Sequence, residues 1–133
     1  MRLWHYKLLP VLPDKMLISQ WRECIAIKRQ WEKGTLKHRL VSYVMNYDKA
    51  YFYNYVLLIV LEMTKRQIKF NKKYLYEISD VADGYLGDYP EHNDRYLKQC
   101  YYNLQEKADR GIITKEEWKL IHKNIYGLIE EEI

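Results

Sequence analysis

Glycine and proline are scarce, at five and three in 133 residues. No glycine- or proline-rich stretch divides the chain, and its length suits one domain, 1–133, with a single core. Long apolar runs are missing as well. The longest, Val56 to Leu61, is far too short to cross a membrane. The opening residues, MRLWHYKLLPVLP, carry Arg2, Lys7 and two prolines, without the long apolar core or small-residue cleavage site of a signal peptide. A cytoplasmic protein is expected. Cysteine is limited to Cys24 and Cys100, both on apolar stripes of expected helices. They read as buried free thiols in preference to a disulfide or a metal site. The histidines His5, His38, His92 and His122 are scattered, with no paired spacing for zinc. Serine is sparse and forms no nucleophile elbow, and no glycine-rich phosphate loop is present. Neither a metal nor a cofactor is expected.

What the chain does contain is polarised charge. Hydrophobic residues make up 48% and charged residues 30%, a globular composition. Residues 1–73 hold 15 Lys and Arg against 5 Asp and Glu, and residues 74–133 hold 7 against 13, so +10 and −6 sum to the net +4. A basic part of this kind often faces a polyanion, and equally often faces its own acidic partner in the fold. Charge alone leaves both open. Fourteen tyrosines and four tryptophans offer surfaces on which bases stack, but most lie at helical core spacing, where packing accounts for them.

The periodicity predicts an all-α protein: a small single-domain helical bundle with an extended N-terminal arm, residues 1–12, where Pro10 and Pro13 oppose an α-helix. The first helix is expected over 14–33, with Asp14 as N-cap and Gly34 as its stop. Leu17, Trp21, Cys24, Ile25 and Lys28 form its apolar stripe and edge, leaving Ser19, Gln20 and Glu23 on another face. A basic connector, Lys37-His38-Arg39, leads to a short helix in LVSYVMNY. Asp48 then caps a second long helix through about Gln67, with Phe52, Tyr55, Val56, Ile59 and Met63 buried. Lys65 and Arg66 close it, where the helix dipole favours cations. Residues 70–92 are expected to be irregular. A third helix over 93–110 has the stripe Tyr96, Leu97, Cys100, Tyr101 and Leu104. The last starts at a Thr114–Glu117 capping box and turns Trp118, Ile121, Ile125 and Leu128 inwards. Arg2, Lys15, Arg22 and Arg29 cluster on the arm and first helix and, with Lys65 and Arg66, are candidates for phosphate contact.

The chain resembles the phage-type endonuclease V family, small helical pyrimidine-dimer DNA glycosylases with abasic-site lyase activity. Asp14 to Glu23, DKMLISQWRE, is similar to the family's D-Q-H-L-M-A-E-Y-R-E. Tyr47-Asp48-Lys49 and Lys65-Arg66-Gln67-Ile68 resemble its Y-D-K and K-R-Q-I elements. Gly87-Asp88-Tyr89 and Asn103-Leu104-Gln105-Glu106-Lys107 resemble G-D-Y and R-L-D-E-K. The order of the blocks is the family's.

The resemblance implies a mechanism. In the family the N-terminal α-amine attacks C1′ of the damaged nucleotide, displaces the base and leaves an imine. An α-amine ordinarily has a pKa of about 7.7–8.0, so a useful fraction is neutral near pH 7. A glutamate stabilises the cationic intermediate and assists proton removal before strand cleavage. Glu23 matches that glutamate, and Arg22 an arginine that binds DNA near the lesion. The family's nucleophile is a threonine exposed by loss of the initiator methionine. Here the second residue is Arg2, too large for that removal, and Met1 takes the threonine's place with Arg2 matching the arginine that follows it. Lys15-Met16 replace the family's Q-H pair. Double-stranded DNA is the implied partner, bent and with a nucleotide flipped out. A monomer is expected.

Overall fold

The computed structural model describes residues 1–78 and 87–130. Five α-helices and two short 3₁₀ segments make up the regular structure, and the described residues contain no strand. The helices are α1 (Asp14–Lys33), α2 (Lys49–Lys65), α3 (Lys72–Ile78), α4 (Asp94–Asp109) and α5 (Lys115–Ile129). The 3₁₀ segments are Tyr6–Val11, inside the arm, and Ser42–Asn46, between α1 and α2.

Helix α1 begins one residue away from its expected cap. Pro13 is the N-cap, and its carbonyl accepts from the Met16 and Leu17 amides. Asp14 is the first helical residue, and its carboxylate accepts from Arg66 at 2.9 Å instead of capping. At the other end Gly34 turns left-handed at φ 70°, where a Cβ would cost strain. Asp48 does cap α2, accepting from the Ala50 amide, and the five residues of its expected stripe are all buried. The Thr114–Glu117 capping box of α5 is formed in both directions.

Three details differ from expectation. Helix α3 occupies part of the stretch read as irregular. Asn71 accepts from the Lys73 amide at its start, Ile78 is buried, and Arg29 of α1 pairs with Glu77. Residues 79–86, the rest of the acidic stretch up to Leu86, lie outside the described residues. On α5 the buried row steps by four, through Ile121, Ile125 and Ile129, while Leu128 lies beside it, 54% exposed. Finally, the arm is less extended than expected, and it is part of the core. Pro10 has no N–H to donate and its ring crowds the preceding turn, which opposes an α-helix, while its φ fits a 3₁₀ turn.

Leu3, Leu8, Leu9 and Leu12 of the arm are each 1% exposed or less. Burying a leucine side chain contributes about 2 kcal/mol, so these four hold the first dozen residues against the entropy of a free terminus. Arg66, at the end of α2, adds a polar fastening. Its five N–H groups meet the carbonyls of Leu9, Pro10 and Leu12 and the carboxylates of Asp14 and Glu62. Cys24 and Cys100 are buried free thiols, as the sequence led us to expect. No helix among the described residues is long and apolar enough to cross a membrane.

Candidate active site at the N-terminus

The anchored arm ends in a cleft of about 300 Å³ lined by Met1, Arg2, Trp4, Glu23, Leu40, Asn103 and Lys107. Met1 and Arg2 come from the arm, Glu23 from α1, Leu40 from the α1–α2 connection, and Asn103 and Lys107 from α4. A larger recess of about 570 Å³ lies elsewhere, around Pro10, Arg66 and Leu120. It holds neither the terminal amine nor Glu23.

The cleft is built around one buried amide. Gln20, 1% exposed, has its carbonyl turned to the Trp4 N–H at 2.7 Å and the Tyr55 hydroxyl at 2.9 Å. Its NH₂ donates to the Arg2 carbonyl at 2.9 Å and to Glu23 Oε2 at 3.0 Å. This corrects the placing of Gln20 on a face apart from the buried stripe of α1, because Gln20 is itself buried. A second strut is Tyr55 of α2, whose hydroxyl also reaches the Trp4 carbonyl at 2.6 Å. A third is Tyr96 of α4, which donates to the Leu3 carbonyl. Three successive arm residues, Arg2, Leu3 and Trp4, are thus held by three helices.

Glu23 is half-buried beside the chain's first residues. Burial pushes its carboxyl above the ordinary carboxylate range, against the opposing pull of the terminal amine, His38, the Arg2 backbone and Gln20. On its outer side the Met1 amine lies 3.4 Å from His38 Nε2, while the Leu40 amide faces the other ring nitrogen at 3.4 Å. Arg2 sets its guanidinium over the Trp4 ring, 5.7 Å from the centroid. A terminal amine, a carboxylate beside it and cations for phosphate are the parts that imine chemistry on a nucleic acid uses.

The remaining basic candidates are dispersed. Arg22 is exposed and turns about 100° away from Glu23 along the helix. It lines a second groove of about 420 Å³ with Arg29, Lys69, Phe70 and Tyr74. Within that groove Arg29 pairs with Glu77 and stacks over Tyr74. Lys15 donates to the Ile112 carbonyl at 2.6 Å. Lys65 is exposed at the end of α2, and Arg66 is committed to the arm. Trp21, packed edge-on to Phe70, belongs to the core.

Sequence reasoning missed Asn103 and Lys107 in the lining of this cleft, and Gln20 and His38 as the partners of Glu23 and the terminal amine. One signal for Gln20 was there, since 17, 20, 24 and 27 is as good a helical stripe as the one chosen. Asn103 and Lys107 stand one turn apart on α4, but nothing in their spacing says which element they face.

Among the described residues no three His, Cys, Asp or Glu side chains gather closely enough to hold a metal ion. No curated protein and no solved structure matches the chain. The profile of the pyrimidine dimer DNA glycosylase family, enzymes with glycosylase and abasic-site lyase activity on DNA, matches residues 1–76. That stretch is more than half of the chain and contains the arm, Gln20, Glu23 and His38, and the chain therefore belongs to the pyrimidine dimer DNA glycosylase family.

Proposed function

We propose that the protein cleaves the glycosidic bond at pyrimidine dimers and then the DNA strand, using the Met1 α-amine as nucleophile and Glu23 as its acid–base partner. The observation that carries this reading is that Met1 and Glu23 line one cleft. The neutral amine attacks C1′, the N–C1′ bond forms, and the base departs with the glycosidic electron pair. Ionised Glu23 takes a proton from the nitrogen and passes it to O4′ as the C1′–O4′ bond opens with its electron pair on O4′. A cationic imine then joins protein and sugar, and Glu23 is left ionised. Ionised Glu23 stabilises that cation and assists removal of the C2′ proton, which expels the 3′ phosphate. Both groups belong to one chain, so a monomer suffices.

In this reading Arg2 and Arg22 contact phosphates on either side of the lesion, with Lys65 further out. Lys107 of α4 joins them, since it lines the cleft itself. Arg29, Lys15 and Arg66 already serve internal partners, and their contribution to DNA binding is correspondingly smaller. The nucleotide must leave the stack to bring C1′ to the amine.

Borohydride trapping tests the reading. Protein with a free N-terminus is mixed with duplex DNA bearing one pyrimidine dimer, or one abasic site, and reduced. A covalent adduct on both is expected, lost when the N-terminus is extended. Trapping on the abasic site alone would leave a lyase without dimer specificity, and no adduct on either would sink the proposal.

A further inference from the structure

We infer that Gln20 is a positioning residue for this chemistry, one buried amide that holds the first peptides of the arm and the Glu23 carboxylate in register. The inference rests on the roles proposed for Met1 and Glu23. Its physical basis is saturation. A side-chain amide offers two acceptor sites and two donor hydrogens. Both hydrogens are taken, by the Arg2 carbonyl and Glu23, and the oxygen accepts from the Trp4 N–H and from the Tyr55 hydroxyl, whose single hydrogen it shares with the Trp4 carbonyl. The orientation is fixed as well, because turning the amide over would set its NH₂ against the Trp4 N–H and its oxygen against two other oxygens.

The consequence is that the arm and the carboxylate are held through one side chain. The Arg2 carbonyl belongs to the residue that follows the amine, and Glu23 Oε2 takes the other hydrogen of the same NH₂ group. An arm shifted by one residue would lose both Arg2 and Trp4 from the amide. The donor also favours the ionised form of Glu23. Two other charges act on that carboxylate, the amine of the arm and His38 of the α1–α2 connection, while Lys107 of α4 lines the same cleft. None of their side chains ties the arm to the carboxylate through a buried bond, as Gln20 does. The family pattern quoted above carries a glutamate at this place. Ionised, such a glutamate has no hydrogen to donate to the Arg2 carbonyl or to Glu23.

The test is single-turnover strand cleavage of an abasic-site duplex across pH, using the full chain with a free N-terminus. Gln20→Glu keeps acceptors for Trp4 and Tyr55 but donates nothing, whereas Gln20→Met removes all four bonds. Both are expected to slow cleavage at pH 7 by about tenfold or more. Both should also move the acid limb of the profile upward by about one pH unit, with DNA affinity within about twofold of the unsubstituted protein. The limb is the decisive readout, because a merely structural role would lower the rate at every pH and leave the limb in place. Where Gln20→Met does not fold, Gln20→Glu decides alone. A folded variant whose limb coincides with the unsubstituted protein overturns the inference. If the unsubstituted protein itself fails to trap on DNA, the reading of Met1 and Glu23 falls first and this one with it, before any substitution is made.

Discussion

The Tyr55 hydroxyl donates to the Trp4 carbonyl at 2.6 Å and lies 2.9 Å from Gln20 Oε1. One phenol in the middle of α2 thus serves both the arm and the amide that orients it. Tyr55→Phe removes both bonds while keeping the ring. It is expected to cost about 1–3 kcal/mol of stability, read as a lower urea midpoint with an unchanged slope, and to slow imine formation more than it weakens DNA binding.

Glu23→Gln should behave in opposite ways in two assays. Lyase activity is expected to fall by about 10²–10⁴-fold. Stability at neutral pH should rise, for a reason of sign. Burial raises the folded carboxyl above its unfolded value, so the native state holds its proton to higher pH and loses stability as pH climbs through that range. Gln carries no such penalty. A melting temperature that drops on substitution would contradict this account of the carboxylate.

Arg66 and Arg22 are expected to separate in salt titrations. Arg66 spends its donors on the arm and two carboxylates, so Arg66→Ala should lower stability by about 2–3 kcal/mol and leave the salt slope of DNA binding nearly unchanged. Arg22→Ala should leave stability alone and reduce that slope by about 1. The reverse pattern would make Arg66 the phosphate ligand.

Acid should unfasten the arm. His5 and His92 stack 5.5 Å apart, and His92 joins the Tyr6 amide to the Tyr43 hydroxyl. Burial lowers His5 from 6.5 to about 4 and His92 from 6.5 to about 3. Both are held neutral in the fold, so their stabilisation is complete above 6.5 and is lost as pH falls towards those lower values. The melting temperature is expected to decline across that interval, and less steeply in His92→Gln. An equal slope in the two proteins would assign the acid sensitivity to other groups.

The helices were readable because their ends carry local chemistry: Gly34, the Asp48 cap, and the Thr114–Glu117 box each act within one turn. The carboxylate was readable only through a resemblance, since Glu23 beside Arg22 is an ordinary pair in any helix. What stayed hidden was non-local. Gln20 reads as a surface residue until Trp4, Arg2 and Tyr55 are brought to it from three distances along the chain. The arm was misjudged for a related reason. Proline content speaks against an α-helix but says nothing about burial, and Leu3, Leu8, Leu9 and Leu12 found their partners in tertiary contacts. Asp14 illustrates competition, since a good capping side chain was taken by a guanidinium that the sequence places 52 residues away.

The strut from Tyr96 to the Leu3 carbonyl spans 93 residues, and the His92 contact with Tyr6 spans 86. During synthesis the residues that emerge first are therefore among the last to reach their final seats, because α4 must be made before the arm is closed on all sides. Until then the amine and Glu23 exist in the same nascent chain without the frame that aligns them. With the roles proposed for Met1 and Glu23, reactivity towards aldehydic sugars is expected only of the finished fold, and a truncated product should carry the amine without the means to aim it.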